Sequence, residues 1–72
     1  MHTLTFTVQG DYIELCNLLK LTGIAGSGGQ GKLMVADGVV KVDGQRELRK
    51  TAKIRAGQKV ECFDTRIQVV AE

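Results

Sequence analysis

The size of this chain is the strongest constraint on its fold. At 72 residues, it is long enough for one compact domain and too short for two, and a core of this size only just outweighs the conformational entropy lost on folding. Hydrophobic residues form 43% and charged residues 25% of the sequence, a balance typical of a folded domain rather than a disordered chain. We therefore expect residues 1–72 to form a single domain.

The sequence contains neither a membrane segment nor a secretion signal. No apolar run approaches the length of a membrane span, and Met1-His2-Thr3 lacks the basic and apolar regions of a signal peptide. We expect a cytoplasmic protein that does not enter a membrane.

The beginning of the chain is predicted to form a strand and then a helix. Residues 3–8 alternate polar and apolar side chains, as a half-buried strand does. Asp11 and Glu14 have the spacing of a helix start, in which the Asp11 side chain caps the first turn. Apolar residues recur at helical spacing from Tyr12 onward, and this stripe predicts a helix that ends near Gly23.

The rest of the chain is predicted to form one more helix and a set of short strands. Ser27 can cap a second helix, which Asp37-Gly38 ends. Residues 39–42 have the pattern of a strand, and Asp43-Gly44 is typical of a tight hairpin turn. Two further strands are predicted at residues 58–63 and 66–70. This order of elements indicates an α+β domain.

The glycine-rich segment at residues 26–32 has the glycine and lysine spacing of a phosphate-binding P-loop but lacks the rest of that motif. Leu33 stands where a Ser or Thr hydroxyl would hold magnesium, and the preceding residues are predicted to end a helix rather than a buried strand. A nucleotide-hydrolysing domain also needs a parallel sheet with crossover helices, for which this chain has no room. Two interpretations stay open: the N–H groups of this helix start bind a phosphate, or the glycines only permit a tight turn.

Few residues here could support catalysis or metal binding. Cys16 and Cys62 stand far apart without a second cysteine near either, so the spacing of a zinc site is missing, and both lie in apolar patterns typical of core positions. His2, the one histidine, has no partner in a local motif. The sequence also lacks a recognisable carboxylate pair or activated nucleophile. We predict a protein without enzymatic activity, cofactor or metal.

Basic residues are concentrated in one part of the chain. Between residues 41 and 59, seven lysines and arginines accompany two acidic residues, while acidic residues predominate elsewhere. Such segregation favours a polyanionic partner, although a solvated lysine-rich loop would give the same pattern. The aromatic residues Phe6, Tyr12 and Phe63 are few for a domain that reads single strands by base stacking, so we expect contacts to backbone and shape instead.

The helices and residues 38–44 together resemble a known family. A short helix, a turn, a second helix and then Gly-x-Val-x-Val-Asp-Gly at residues 38–44 are similar to the RNA-binding domain named for ribosomal small-subunit protein four, also called the alpha-L motif. The positions that carry the resemblance are Ile13 to Leu19, Gly23, Ser27, Gln30, Lys32, Met34, Val35, Gly38, Val40, Val42, Asp43, Gly44, Ile54, Gly57 and Val60.

The resemblance implies a fold and a ligand class. The fold would be two antiparallel helices packed on a small, mostly antiparallel sheet of four to five strands. The start of the second helix and the strand and loop after it would face RNA phosphates. In relatives this domain is usually an appendage on larger RNA-modifying or synthetase enzymes, whereas this chain looks like the domain standing alone.

The resemblance and the charge pattern together select candidate RNA contacts. Side chains expected to bind phosphates are Lys32, Lys41, Arg49, Lys50 and Lys53. Ser27 and Gln30 are candidates as well, with capping of the second helix as the alternative role. Arg46 and Arg55 lie at positions that the motif does not specify.

The chain departs from the family pattern at several positions. Relatives often carry arginine where this chain has Gly28 and Ala36, alanine at Gly31 and asparagine at Asp43. Two phosphate-binding charges are thus absent, and the basic residues after the hairpin are expected to compensate.

We expect non-catalytic binding of structured RNA, with ribosomal RNA and transfer RNA as candidates. Lysines and arginines would neutralise phosphates over a folded RNA and release counterions, so that shape outweighs base sequence. The expected partners are structured RNA and, with it, the ribosome or an RNA-processing enzyme, and the expected state is a monomer. The alternative is a small protein-interaction adaptor, ribosome-associated or not, which dispersed charges and an exposed apolar patch would favour.

Overall fold

Two helices and seven strands make up residues 2–72 of the protein. The computed structural model describes residues 2–72. The elements in chain order are β1 (His2–Val8), β2 (Ile13–Glu14), α1 (Leu15–Leu21), α2 (Gly28–Ala36), β3 (Val40–Val42), β4 (Gln45–Arg46), β5 (Lys53–Ile54), β6 (Lys59–Cys62) and β7 (Thr65–Ala71). The predicted α+β class is confirmed.

The strands form two sheets of unequal size. The larger sheet has five strands in the order β1-β7-β6-β3-β4, and the smaller one pairs β2 with β5. Within the larger sheet, β1 and β7 run parallel, while the other neighbours are antiparallel. The prediction of two helices on a mostly antiparallel sheet is confirmed, and the β2–β5 pair is an addition to it.

One face of the larger sheet packs against the helices and encloses the core. The largest fully buried side chains come from α1, α2 and four strands, and they are Leu15, Leu18, Leu19, Ile54, Ile67, Val35, Val40, Val60, Val69 and Cys62. Cys16 and Cys62 are both buried free thiols, as their apolar surroundings in the sequence predict. Burial raises the pKa of the Cys62 thiol, so this residue behaves as a small apolar side chain.

The start of the first helix differs from the prediction. α1 begins at Leu15 with Glu14 as its N-cap, and within residues 2–72 no side chain caps it. The expected cap, Asp11, lies outside the helix because residues 13–14 form β2 and pair with β5. Tyr12, predicted to lie on the buried stripe of the helix, precedes the helix and is 41% exposed.

The turn signals that end the helices and form the hairpin are confirmed. Gly23 and Gly38 follow α1 and α2 with positive φ angles of 81° and 80°, the left-handed conformation that closes a helix and that glycine adopts without strain. Asp43 and Gly44 have φ angles of 52° and 83°, as a two-residue hairpin turn between β3 and β4 requires.

Strands β3, β6 and β7 lie within one residue of the predicted bounds.

No helix among residues 2–72 is long and apolar enough to cross a membrane.

Candidate nucleic-acid interface

The start of α2 is capped by two of the candidate residues. The Ser27 hydroxyl oxygen accepts a hydrogen bond from the backbone N–H of Gln30 at 3.1 Å. The Gln30 side-chain oxygen in turn accepts from the N–H of Gly26 at 2.6 Å, in an arrangement close to a capping box. The oxygens of both side chains thus serve the helix, while their own donor groups stay available to a ligand. The first-turn N–H groups of Gly28 and Gly29 belong to those that an α-helix leaves without intrahelical partners.

Gly31 is the point of closest approach between the two helices. It is buried, and a Cβ atom built on it would lie 2.8 Å from the backbone oxygen of Cys16, closer than real Cβ contacts come. Glycine at this position therefore lets α2 lie directly on the first turn of α1. Lys32 follows Gly31 and is exposed, so its side chain starts from a backbone position beside the beginning of α1.

The segment between β4 and β5 is attached to the beginning of α1 from another side. The N–H of Leu15 donates to the carbonyl of Ala52 at 2.9 Å, and the N–H of Cys16 donates to the carbonyl of Lys50 at 3.1 Å. These two carbonyls satisfy helix N–H groups that a side-chain cap would otherwise serve. Ala52 is buried, whereas the Lys50 side chain is exposed. The first turn of α1 thus joins the segment that carries Lys50 to the helix that carries Lys32.

The β2–β5 pair positions Lys53 next to an aromatic ring. Lys53 lies opposite Glu14 in the antiparallel register, and its Nζ atom is 5.0 Å from the centroid of the Tyr12 ring. The Arg55 guanidinium lies 5.8 Å from the same centroid, so two cations contact one aromatic side chain. Sequence reasoning missed this cluster, because two-residue strands leave no readable pattern and Tyr12 fits the helical stripe that follows.

Arg49 is engaged with an acidic neighbour. Its guanidinium donates to both carboxylate oxygens of Glu47, at 3.1 and 2.9 Å, and its backbone N–H donates to one of them as well. The hydrogen bonds from Arg49 lower the pKa of the Glu47 carboxyl. The arginine side chain is still 80% exposed. It lines, with Thr51 and Lys53, a shallow depression of about 320 Å³.

Lys41 belongs to a different surface. It lies on β3, opposite Arg46 of β4 and Glu61 of β6, and it is exposed while its neighbours Val40 and Val42 face the core. Glu61 forms an ion pair of 3.6 Å with Arg66 on the next strand. The outer sheet face thus carries a row of three cations and one carboxylate, and no described contact connects Lys41 with Lys32 or Lys50.

The structure therefore divides the predicted site residues into three groups. The residues whose backbone lies around the first turn of α1 are Lys32, Lys50 and Lys53, with Arg49 beside them. We call these four residues the basic cluster. Ser27 and Gln30 lie at the adjacent start of α2, and Lys41 lies on the outer sheet face. Among residues 2–72 no group of three or more His, Cys, Asp or Glu side chains could hold a metal ion.

Comparison with known proteins agrees with this architecture. A family model described as the S4 domain matches residues 6–70. A protein of Escherichia coli (strain K12) named "Putative RNA-binding protein YbcJ" is 53% identical over 60 residues, which cover 83% of this chain and 86% of that protein. A protein of Shigella flexneri named "Uncharacterized protein YbcJ" matches to the same extent.

A solved structure matches as well. The solution structure of YbcJ from E. coli covers 99% of this chain and 89% of its own, with 48% identity and a TM-score of 0.70. That structure is described as revealing an alpha-L motif involved in RNA-binding.

Proposed function

This chain belongs to the S4 domain family, and we propose on that premise that it binds structured RNA, ribosomal or transfer RNA, through the basic cluster and without catalysing a reaction. The proposed setting is the cytoplasm, where the chain acts as a monomer beside the ribosome or an RNA-processing enzyme. The relatives support the RNA class, since one is named as an RNA-binding protein and the solved one has a motif involved in RNA-binding.

The observation that carries the proposal is the junction at Cys16. Its backbone N–H bonds to Lys50 on one side, and its carbonyl leaves room only for glycine at position 31 on the other. The backbone of Cys16 thus contacts two basic segments that are distant from each other in the sequence. A loop of solvated lysines would not need such anchoring, whereas phosphate groups at fixed spacing on a folded RNA require cations at fixed spacing.

The proposed mechanism is electrostatic positioning. Lys32, Lys50 and Lys53 neutralise phosphates and release the counterions condensed on the RNA, which makes the affinity strongly dependent on salt. Arg49 contributes a guanidinium that can bind a phosphate through two N–H groups, in competition with Glu47. Lys41 would contact a more distant part of a large RNA, around the edge of the sheet.

The start of α2 has a secondary part in this proposal. The hydroxyl proton of Ser27 and the side-chain amide of Gln30 can donate to a phosphate while their oxygens cap the helix. The N–H groups of Gly28 and Gly29 lie at the positive end of the helix dipole, and this end favours an anion.

The experiment that tests the proposal measures binding by fluorescence anisotropy. Folded ribosomal RNA fragments and DNA duplexes of matched length are titrated at two salt concentrations with the wild type and with Lys32→Glu/Lys50→Glu. The control variant Lys20→Glu/Lys59→Glu has the same net charge, but its changes lie at the end of α1 and on β6, away from the basic cluster. Circular dichroism verifies that both variants are folded.

The expected result distinguishes binding at the basic cluster from a general attraction by net charge. RNA binds more tightly than DNA, and the affinity for RNA falls steeply with salt. The Lys32→Glu/Lys50→Glu variant loses most of this affinity, whereas the control variant keeps most of it. Equal losses in both variants would mean that only net charge attracts the RNA. No binding of either nucleic acid at low salt would refute the proposal and favour a protein-interaction adaptor instead.

A further inference from the structure

Tyr12 occupies an unusual position for an aromatic residue in a small domain. It lies between β1 and β2, outside the core, and is 41% exposed. Exposed tyrosine of this kind does not contribute much to stability, since a buried ring would gain far more from removal of its apolar area from water. The exposed part of the ring is therefore open to a ligand.

Two cations lie over the ring, and one of them also bonds to the backbone. Lys53 Nζ and Arg55 Cζ lie 5.0 and 5.8 Å from the ring centroid. Arg55 also donates to the backbone oxygen of Asp11 at 3.4 Å. The pairing of β2 with β5 fixes the backbone on both sides of this cluster. An aromatic ring with cations lying over it combines the two features that bind a nucleotide: an aromatic surface for the base, where the ring lines a groove, and charges for its phosphates.

A groove extends from the ring along the neighbouring elements. Its volume is about 390 Å³, and Phe6, Gln9, Ile13 and Leu21 line it together with Tyr12. Leu21 is 61% exposed at the end of α1, so the groove has an apolar wall open to solvent. The volume is at the low end of the range for small-ligand sites, which suits one base. The side-chain amide of Gln9 can hydrogen-bond to a base edge.

We propose that Tyr12 is a stacking platform for one unpaired nucleotide of the bound RNA, whose base enters the groove while Lys53 and Arg55 receive the flanking phosphates. This inference rests on the proposed function and deepens it, because it names a bulged or looped nucleotide within a folded RNA as the preferred ligand. Tyr12 lines the groove, and Lys53 of the basic cluster lies over the same ring. A single platform also agrees with the small number of aromatic residues in the chain. So few rings do not suit a protein that binds a long single strand by base stacking, but one ring is enough to hold one base.

The test uses two RNA hairpins that carry the same terminal fluorescein, whose anisotropy reports binding, and that differ only by one unpaired 2-aminopurine in the stem. This base fluoresces on excitation where neither tyrosine nor the natural bases absorb, and stacking on an aromatic ring quenches it. Both RNAs are titrated with the wild type, Tyr12→Ala and Tyr12→Phe. Phe63→Ala is the matched control, since Phe63 is 73% exposed in the turn between β6 and β7. Circular dichroism checks the fold of each variant.

The expected outcome is specific to the unpaired base. The wild type binds the bulged hairpin more tightly and quenches its fluorescence, and Tyr12→Ala weakens this binding by roughly 5- to 150-fold, the range for loss of one stacked base. Tyr12→Phe keeps the ring and, like Phe63→Ala, keeps both the affinity and the quenching. Binding of the fully paired hairpin is the same for all four proteins.

Three other outcomes would overturn the inference, and they differ from one another. If the bulged and paired hairpins bind equally and Tyr12→Ala changes neither, the basic cluster binds RNA and the platform does not exist. If the wild type binds no hairpin at low salt, the inference fails together with the proposed function. Loss of both hairpins by a folded Tyr12→Ala would show that the ring supports the cations rather than a base.

Discussion

The backbone N–H of Cys16 donates a hydrogen bond of 3.1 Å to the carbonyl oxygen of Lys50, and this bond joins the basic segment after β4 to the first helix. Together with the bond from Leu15 to Ala52, it replaces a side-chain cap on α1. A lysine proposed to bind RNA therefore lies in a segment that the helix itself keeps in place.

Hydrogen exchange tests this backbone cap. The N–H groups of Leu15 and Cys16 occupy the first two positions of α1, as those of Gly28 and Gly29 do in α2. Only the first pair has backbone acceptors in the described part of the chain. We expect Leu15 and Cys16 to exchange slowly, at rates that follow those of the core, and Gly28 and Gly29 to exchange rapidly. Equally rapid exchange at all four positions would show that the segment around Lys50 is not attached in solution.

Substitution of Gly31 tests the close approach of the helices. In Gly31→Ala the new methyl group would meet the Cys16 carbonyl oxygen, and this overpacking costs about 1–3 kcal/mol. The better helix propensity of alanine offsets roughly 1 kcal/mol of this cost. We therefore expect a small net decrease in the free energy of unfolding, measured by urea denaturation. Gly28→Ala is the control, because no heavy atom lies within 4 Å of a Cβ there. A more stable Gly31→Ala variant would mean that the helices separate easily.

Gly28→Arg is expected to increase RNA affinity. The open space at this position accommodates a side chain, and an arginine at the start of α2 adds one phosphate contact beside Ser27. Anisotropy titrations should show tighter binding and a salt dependence steeper by roughly 0.7–0.9 in the log–log slope. Gly28→Gln adds a side chain of comparable size without the charge and should leave the slope unchanged. If both variants bind alike, the start of α2 does not face RNA phosphates.

Glu47→Gln is also expected to strengthen RNA binding. The change keeps the size of a partly buried side chain, removes one negative charge and releases Arg49 from its ion pair. A freed guanidinium should bind a phosphate and steepen the salt dependence by up to about one unit of slope. Asp64→Asn, which removes one negative charge from the turn between β6 and β7, serves as the control. An equal effect of both variants would indicate an effect of net charge alone.

Local sequence patterns were sufficient for α2, the end of α1, the hairpin and most strands. The alternation of residues 3–8 marks β1, and Ser27 marks the start of α2 through the cap that it forms. Gly38 and Asp43-Gly44 mark turns through backbone angles that few residues adopt readily. Each of these features depends on residues close together in the chain, so the sequence contains the whole signal. Ser27, Gly38 and Asp43-Gly44 also carry the resemblance to the family.

The sequence by itself determined the α+β architecture, the family and the existence of a basic segment, because periodicity, turn residues and charge are properties of neighbouring residues. Tertiary structure alone decided which basic segments lie near one another in the fold. The pairing of β2 with β5 separates Tyr12 from the helix and sets it beside Lys53, and the contacts of Cys16 bring Lys50 toward Lys32. These contacts form between segments tens of residues apart, and their stabilisation comes from backbone hydrogen bonds and close packing, which leave no periodic trace in the chain.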